Sequence, residues 1–400
     1  MRHNGRMVRY LASPIKADLP HKIVLLTGPR QAGKTTLAKM LVDDFEYFNY
    51  DLAEDRVALR EKSWRRDAAL VIFDELHKMK NWKSWLKGIY DTRGPAPPII
   101  VTGSARLDIA RKMGDSLAGR FFPYRLHPLD LKEVKASLPE IGLETAFDRL
   151  LRFGGFPEAF LAGEEIFYGR WRKSHQDIIL RQDLLDLESV RNIADLETLI
   201  ELVRRRVGSP VSRKSLAEDL QRDPKTIGRW LAILERMYVL FKVTPYHKNI
   251  ARSLLQEPKY YFYDTGQVAG EKVEGTGAKL ENAVACALLK ELHYIEDTLG
   301  RRCRLHYLRD KDGREIDFLV VIDDRPVLKI EAKWADDVPS KNFSTFSKYL
   351  PYAPGIQLVG KLEREKSFES GVRVLKAAPW LSGIDLMGEG QKNRGKNRGT

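Results

Sequence analysis

The first 130 residues alternate short apolar runs with longer amphipathic stretches, a pattern that predicts β-α-β units around a mostly parallel sheet. Two amphipathic segments, KTTLAKMLVDD and WKSWLKGIYD, have the periodicity of helices. The predicted strands are five apolar runs that end at Thr27, Tyr50, Phe73, Thr102 and Leu126. The predicted fold class is therefore α/β.

The pattern changes twice further along the chain. Residues 143–207 are helical in periodicity, and residues 212–244 are helical, compact and basic. After Tyr260, β-rich runs return around the helical segment LENAVACALLKELHYI, which predicts a separate α/β domain. We expect domains at 1–140, 141–207 (a helical lid or linker), 208–258 and 259–387, followed by a disordered basic tail at 388–400.

Composition excludes several classes of protein. The chain has 400 residues and only two cysteines, Cys286 and Cys303, without a CxxC motif, so neither a disulfide framework nor a zinc module is expected. No apolar run reaches the roughly 18 residues of a membrane span, and the N-terminus lacks the apolar stretch of a secretory signal. We expect a cytoplasmic protein with no membrane partner.

The charge balance favours a polyanionic partner such as DNA. Lys and Arg total 68 against 55 acidic residues, a net charge of +13. Residues 201–260 contain 13 basic and six acidic residues, a net of +7, so more than half of the excess lies in 60 positions.

The strongest motif is GPRQAGKT, which fits the P-loop pattern GxxxxGK[ST] between an apolar strand and an amphipathic helix. Backbone N–H groups of such a loop surround phosphates at the positive end of the helix, Lys34 can reach the β- and γ-phosphates, and Thr35 can ligate Mg²⁺. ATP and Mg²⁺ are therefore the predicted cofactors. The predicted nucleotide-binding residues are Gly28, Pro29, Arg30, Gln31, Ala32, Gly33, Lys34, Thr35 and Thr36.

Two acids follow the third strand, at the sheet edge where open α/β sheets bind their ligands. Asp74 is predicted to hold Mg²⁺, and Glu75 to orient and deprotonate the attacking water. After the fourth strand, Ser104 is a candidate sensor of the γ-phosphate, with an ordinary strand-end turn as the alternative. Arg120 could neutralise transition-state charge in a neighbouring subunit of a homo-oligomer, although a surface or interdomain salt bridge is the favoured role.

These motifs together resemble a large prokaryotic family of AAA-type ATPases. The resemblance rests on the P-loop, the DE-ended strand, GSA after the fourth strand, LAGR before a Pro-Leu turn, FGGFPEAF at 153–160, YFYDTG at 261–266 and LEN at 280–282. It spans nearly the whole chain, and its later motifs identify the family without indicating a reaction. The resemblance implies an AAA-like five-stranded sheet, a helical lid, a winged helix and a C-terminal restriction-endonuclease-like domain.

The winged helix is also indicated by the residues themselves. A first apolar helix is followed by Asp223, which can cap the second helix, and by Pro224, which suits its first position. The outer face of that second helix presents Lys225, Thr226 and Arg229, which are suitable for contacts with phosphates or base edges. Packing against other domains is the alternative role.

A second candidate site lies in the C-terminal domain. Asp317 begins one predicted strand, and Glu331 and Lys333 share a face of the next, which gives the D…ExK pattern of restriction-endonuclease-like folds. The two carboxylates could bind Mg²⁺, Lys333 could orient water, and Glu281 resembles the accessory acid of such folds. The same pattern occurs on exposed hairpins, and such folds also persist as inactive binding platforms.

The expected function is hydrolysis of ATP, coupled to movement of the winged helix and the nuclease-like domain on DNA. The first alternative is a nucleotide-dependent switch or scaffold that binds a protein partner and keeps an inactive C-terminal site. The second alternative is a sequence-specific DNA-binding regulator.

Overall fold

The computed structural model describes residues 7–94, 96–103, 117–179, 193–246, 257–269 and 276–389. Their contacts divide the chain into two compact units. The N-terminal unit is Arg6–Pro128 with Arg236–Tyr238, and the C-terminal unit contains Leu129–Glu235 and Val239–Thr400.

The N-terminal unit is built on a five-stranded sheet in the order β2-β3-β4-β1-β5, with every neighbouring pair parallel. Its elements are α1 (Ala12–Asp18), β1 (Ile23–Thr27), α2 (Lys34–Met40), β2 (Glu46–Asn49), α3 (Ala53–Glu61), β3 (Val71–Asp74), α4 (Trp82–Arg93), β4 (Ile99–Thr102) and β5 (Phe121–Arg125).

Strands β1, β3 and β4 are buried along their whole length, as expected of central strands covered on both faces. On one side of the sheet, the aromatic rings of Phe48, Trp64, Phe73 and Trp85 pack edge to face or tilted, with centroids 5.2–6.2 Å apart. This core fixes the carboxyl ends of β1, β3 and β4, which carry the candidate nucleotide site.

The C-terminal unit combines a helical part with a second sheet. Its helices are α5 (Leu131–Ser137), α6 (Leu143–Phe153), α7 (Pro157–Ala162), α8 (Glu165–Asp177), α9 (Ile193–Arg204), α10 (Arg213–Leu220), α11 (Pro224–Arg236), α12 (Thr276–Leu299), α13 (Asn342–Ser347) and α14 (Ala377–Ser382). Buried ion pairs join its parts: Lys290 Nζ on α12 lies 2.6 Å from Glu133 Oε2 and 3.0 Å from Asp130 Oδ2 at the start of α5. Helix α5, which sequence analysis placed in domain 1–140, thus packs on α12.

The second sheet has eight strands in the order β12-β13-β11-β10-β9-β8-β6-β7. These are β6 (Leu240–Pro245), β7 (Lys259–Phe262), β8 (Cys303–Arg309), β9 (Glu315–Ile322), β10 (Arg325–Lys333), β11 (Gly355–Val359), β12 (Lys366–Ser367) and β13 (Arg373–Lys376). Strands β8, β9 and β10 form an antiparallel meander, and β11 is parallel to β10.

Strand β6 pairs with β7 in antiparallel and with β8 in parallel orientation. The predicted boundary at 258/259 therefore falls between two hydrogen-bonded strands of one sheet. The five strands predicted in the first 130 residues are confirmed, whereas β6, β11, β12 and β13 were not predicted. Strand β6 includes the end of the segment 212–244, which was predicted to be helical. Neither Cys286 nor Cys303 forms a disulfide. Among the described helices, none combines the length and the apolar character needed to cross a membrane.

Candidate functional site

The predicted P-loop connects β1 to α2 with a backbone that requires glycine. Gly28 has φ +144°, and a Cβ atom there would lie 2.2 Å from the carbonyl oxygen of Leu126. Gly33 has φ +92° and immediately precedes the first residue of α2. Only glycine adopts such angles without strain, so these two residues turn the loop tightly into the helix N-terminus, where backbone N–H groups favour anions.

The side chain of Lys34 folds back over this loop. Its Nζ donates hydrogen bonds to the carbonyl oxygens of Gly28, at 3.0 Å, and Pro29, at 2.7 Å, and the residue is only 8% exposed. The loop is also held from outside, because Arg9 Nη1 donates to the carbonyl oxygen of Ala32 at 2.9 Å. Sequence reasoning missed Arg9, which lies outside the motif.

The remaining loop residues are placed as follows. Arg30 and Thr35 are half-buried, and Gln31 and Thr36 are exposed. Gln31 has φ +62°, so the loop contains a left-handed residue besides its glycines. The nine predicted nucleotide-binding residues thus form one continuous turn from the end of β1 into α2.

Asp74 receives three hydroxyl hydrogen bonds at the carboxyl end of β3. Thr35 Oγ1 donates to Asp74 Oδ2 at 2.8 Å, and Tyr47 Oη donates to the same oxygen at 3.0 Å. Thr102, which lies opposite Asp74 in the β3–β4 register, donates to Oδ1 at 2.5 Å. Burial and the Asp74 carboxylate raise the pKa of Tyr47, so this phenol stays a donor.

This arrangement fits Mg²⁺, because a threonine hydroxyl and a carboxylate, both oxygen ligands, lie together beside the P-loop. The sequence predicted Thr35 and Asp74. It did not indicate Tyr47, which reaches Asp74 only because β2 lies next to β3 in the sheet.

Glu75 follows β3 in a left-handed conformation, with φ +55°. Burial raises the pKa of its carboxyl group, while the positive charge of Lys78 opposes the rise. Lys78 Nζ lies 3.4 Å from Glu75 Oε2 and 2.7 Å from Asp51 Oδ2, so it ties the acid to the end of β2. Lys78 lies outside the sequence motifs, and the sequence did not indicate it.

Arg120 does not join this site within its own chain. It precedes β5, whose first residue is paired with Ile23 at the start of β1, so it lies at the edge of the sheet opposite the P-loop. Four strand steps of about 3.3 Å separate the two edges, or roughly 13 Å. Its Nε and Nη2 contact the two oxygens of Asp91 at 2.6 and 3.2 Å. Ser104 lies outside the described residues.

The acids predicted in the C-terminal domain come together around a lysine. We call this group the Lys259 cluster; it consists of Lys259, Glu281, Glu315, Asp317, Glu331 and Lys333. Lys259 Nζ lies 2.5 Å from Glu315 Oε1, 3.3 Å from Glu281 Oε1 and 3.5 Å from Asp317 Oδ1. Lys333 Nζ lies 2.8 Å from Glu331 Oε1.

The electrostatics of the Lys259 cluster follow from its burial. Burial and the nearby Asp317 raise the pKa of Glu281 to about 8 and that of Glu331 to about 7. Burial alone would lower the pKa of Lys259, but the surrounding carboxylates outweigh it and raise that pKa. Neither Lys259 nor Glu315 was predicted from the sequence.

The Lys259 cluster does not fit the predicted Mg²⁺. Asp317, Glu331 and Glu281 are already occupied by ammonium, amide and hydroxyl donors. In the part of the chain that the structure describes, no set of three or more His, Cys, Asp or Glu side chains has an arrangement able to hold a metal ion. The prediction of Glu281, Asp317 and Glu331 as metal ligands is therefore not supported by their geometry.

Helix α11 begins at Pro224, as its sequence predicts, and Asp223 Oδ1 accepts the amide hydrogen of Lys225 at 3.0 Å. Ile227, Trp230, Leu231, Ile233 and Leu234 form its buried face. Lys225 and Arg229 are exposed and Thr226 is half-buried.

Other basic residues of this region are paired. Arg206, Arg222 and Lys242 contact Asp219, Asp195 and Glu235 at 2.6–3.2 Å. Within the described ranges, by contrast, Lys225 and Arg229 have no carboxylate partner. The uncompensated positive charge of the described part of this region therefore includes the outer face of α11.

The motifs FGGFPEAF and YFYDTG, to which the sequence assigned no role, pack against each other. Asp264 Oδ1 accepts the amide hydrogen of Gly155 at 2.7 Å, ahead of the first residue of α7. A Cβ atom on Gly154 would lie 2.0 Å from the same oxygen, and one on Gly266 would lie 2.8 Å from the carbonyl carbon of Phe153. The glycines are therefore needed for close packing of the two segments.

Three family models match the chain. Residues 20–135 match one described as an AAA domain. Residues 144–270 and 276–380 match two described as domains of unknown function. With the parallel sheet and the P-loop, the match over residues 20–135 indicates an AAA-type P-loop domain in the N-terminal unit.

Two similar proteins are described only as uncharacterized proteins. Rv2008c of Mycobacterium tuberculosis is 28% identical over 323 residues, which cover 76% of this chain and 68% of that protein. MJ1544 of Methanocaldococcus jannaschii is 25% identical over 344 residues, covering 78% and 75%.

Solved structures with a detectable likeness include a RuvB variant from Thermotoga maritima. It is 20% identical with a TM-score of 0.31, over 58% of this chain and 87% of that one. A signal transduction ATPase with numerous domains from Pyrococcus horikoshii is 11% identical with a TM-score of 0.27, over 74% and 50%.

Proposed function

We propose that the protein hydrolyses ATP with Mg²⁺ and couples this hydrolysis to DNA binding through residues 208–258. The observation that carries the ATPase part is the convergence of Thr35 and Thr102 on Asp74 beside the Lys34 loop. Hydroxyl, carboxylate and ammonium groups from three strand ends meet there, which is the set that phosphoryl transfer from a nucleotide requires.

Each residue of the nucleotide site has a distinct role in this proposal. The backbone of 28–36 and the Lys34 ammonium bind the phosphates, and Thr35 and Asp74 hold Mg²⁺. When bound, Mg²⁺ neutralises charge on the phosphate oxygens. Glu75 orients the attacking water and accepts its proton, and Lys78 holds Glu75 in place.

ATP turnover of wild type and Glu75→Gln tests this assignment. Because the substitution removes only the proton acceptor, we expect turnover to fall at least about 100-fold while binding of a fluorescent ATP analogue persists. Glu61→Gln, an exposed acid at the end of α3, is the matched control and should retain full turnover. Equal turnover in Glu75→Gln and wild type would remove Glu75 from the mechanism.

For DNA, we propose that α10, α11 and the β6–β7 pair form a winged helix, with α11 as its recognition helix. The support is the order of two helices and an antiparallel strand pair, together with an isolated antiparallel bridge between Pro210 and Lys259. The exposed Lys225 and Arg229, four residues apart, face the same side of α11 and can contact a phosphate backbone.

Anisotropy of a labelled duplex at ~50 mM and ~200 mM salt tests DNA binding. We expect measurable affinity at the lower salt, and at least tenfold weaker binding by Lys225→Ala/Arg229→Ala with a salt slope reduced by about 2. Arg66→Ala, an exposed arginine of the N-terminal unit, is the control and should bind as wild type does. No binding at the lower salt would refute the DNA proposal and favour the nucleotide switch that binds a protein partner.

We also propose that residues 259–387 have a restriction-endonuclease-like fold. Helix α12, the antiparallel meander β8–β10 and the parallel strand β11 follow the order of that fold, with Asp317 on β9 and Glu331 and Lys333 on β10. Cleavage of DNA is not proposed, because the carboxylates of the Lys259 cluster do not fit a metal ion.

A further inference from the structure

Lys259 is fixed at the centre of the C-terminal unit. It is the first residue of β7, its Cα partner is Val243 in β6, and it also forms an isolated bridge with Pro210. The residue is 0% exposed. Because its backbone is held by two neighbouring segments, its side chain is confined to the space between the carboxylates.

The ammonium group takes the place at which acids from different elements converge. Its three contacts, at 2.5, 3.3 and 3.5 Å, reach Glu315 and Asp317 on β9 and Glu281 on α12. A Mg²⁺ ion would require oxygens at about 2.1 Å in octahedral order and would usually keep several waters. A buried ammonium at this point leaves no room for that shell.

Further hydrogen bonds also engage the acids of the Lys259 cluster. Asp317 Oδ2 accepts the amide hydrogen of Ala332 at 2.9 Å, and Glu331 Oε2 accepts that of Asp317 at 3.3 Å. Tyr261 Oη donates to Glu281 Oε1 at 2.7 Å. These bonds give the acids protein donors in addition to the Lys259 ammonium.

The formal charge of the Lys259 cluster also favours a protein ammonium group over a divalent metal ion. Counted with every carboxyl group ionised, the four acids of the Lys259 cluster face three cations, because Arg309 Nη1 also lies 2.9 Å from Glu315 Oε2. One negative charge is left over. Without Lys259, two would remain, which is the charge that a divalent ion compensates.

We infer that Lys259 is the resident cation of this cluster in place of a divalent metal ion, and that it fastens the β6–β7 pair to α12 and β9. The D…ExK residues then serve as an internal ionic joint between the proposed winged helix and the C-terminal sheet. The C-terminal unit neither binds Mg²⁺ or Mn²⁺ there nor cleaves DNA.

Mn²⁺ titration followed by electron paramagnetic resonance, with the full-length chain and no nucleotide, tests the inference directly. Wild type and Asp317→Asn should bind the same number of Mn²⁺ ions, because any weak site at the P-loop is common to both. One ion more in wild type than in Asp317→Asn would overturn the inference.

The reverse experiment creates the missing site. Lys259→Met should gain one Mn²⁺ ion, with affinity at least tenfold above any remaining protein site, and Lys259→Met/Asp317→Asn should lose it again. If Lys259→Met does not fold, Lys259→Met/Glu315→Gln lowers the repulsion among the acids and takes its place. A folded variant without the additional Mn²⁺ ion would show that Lys259 does not occupy a cation position.

Plasmid nicking adds a readout that does not depend on ATP hydrolysis. With Mn²⁺ and no ATP, wild type and Asp317→Asn should leave supercoiled plasmid equally intact. Nicking by wild type that disappears in Asp317→Asn would overturn the inference, while the ATPase and DNA-binding proposals would stand.

Discussion

Asp264 predicts how the stability of the C-terminal unit depends on pH. The residue is 2% exposed, and among the described residues no cationic side chain offsets the effect of this burial on its pKa. Its Oδ2 atom has no hydrogen-bond partner there. Burial raises its pKa from 3.8 to about 7, although the amides of Gly155 and Phe156 partly offset the rise.

The sign follows from proton linkage. Because the folded-state pKa lies above the unfolded value, the folded state holds the proton more tightly between about pH 4 and pH 7. The contribution to the free energy of unfolding is complete below the unfolded pKa and is lost as pH rises through the folded pKa. A shift of about three units corresponds to about 4 kcal/mol.

Asp264→Asn removes the titration and keeps one oxygen acceptor for the amide of Gly155. We expect the stability of the variant relative to wild type to rise by about 2–3 kcal/mol between pH 5 and pH 8, because the rest of the roughly 4 kcal/mol is already lost by wild type below pH 5. Denaturant unfolding at pH 5, 6, 7 and 8 gives the difference between the two proteins. That difference isolates Asp264 from the other buried acids, which both proteins share.

A matched control is Asp67→Asn, an exposed acid of the N-terminal unit, which should follow the wild-type curve at every pH. Parallel stability curves for wild type and Asp264→Asn would refute the reasoning. They would mean that the buried carboxyl group does not change its protonation state over this range.

Three further predictions concern the N-terminal unit. Gly28→Ala should abolish binding of a fluorescent ATP analogue and lower the thermal midpoint of unfolding. The reason is that a Cβ atom at φ +144° would lie 2.2 Å from the carbonyl oxygen of Leu126. Unchanged binding would contradict the loop geometry. Thr102→Val should leave a buried oxygen of Asp74 without its donor and lower the free energy of unfolding by about 1–3 kcal/mol. It should also shift the Mg²⁺ dependence of ATP turnover to higher Mg²⁺ concentration. An unshifted Mg²⁺ titration would contradict this role of Thr102. Arg120→Ala should leave ATP turnover within a factor of two of wild type, because this arginine is paired with Asp91 on α4. A large loss of turnover with nucleotide binding intact would instead indicate that Arg120 acts as an arginine finger in a neighbouring subunit.

Local sequence was sufficient for the features that depend on local geometry. The P-loop is a run of eight consecutive residues, and its glycines and its lysine shape or contact the backbone of that same run. Its position between β1 and α2 could therefore be predicted. The same holds for Asp223 and Pro224 at the start of α11, since capping involves only neighbouring residues. Asp74 was found because it ends an apolar run.

Tertiary structure decided what depends on which segments meet. Tyr47 and Thr102 reach Asp74 only because β2 and β4 flank β3. The D…ExK spacing was readable from alternation along the strands, but the neutralising Lys259 comes from a strand more than 50 positions earlier in the chain than Asp317. Periodicity predicts which face a residue occupies, whereas sheet order and the packing of distant elements determine its charged neighbours. For this reason the sequence alone indicated a P-loop domain and the candidate residues, whereas only the fold placed a lysine among the second group of acids.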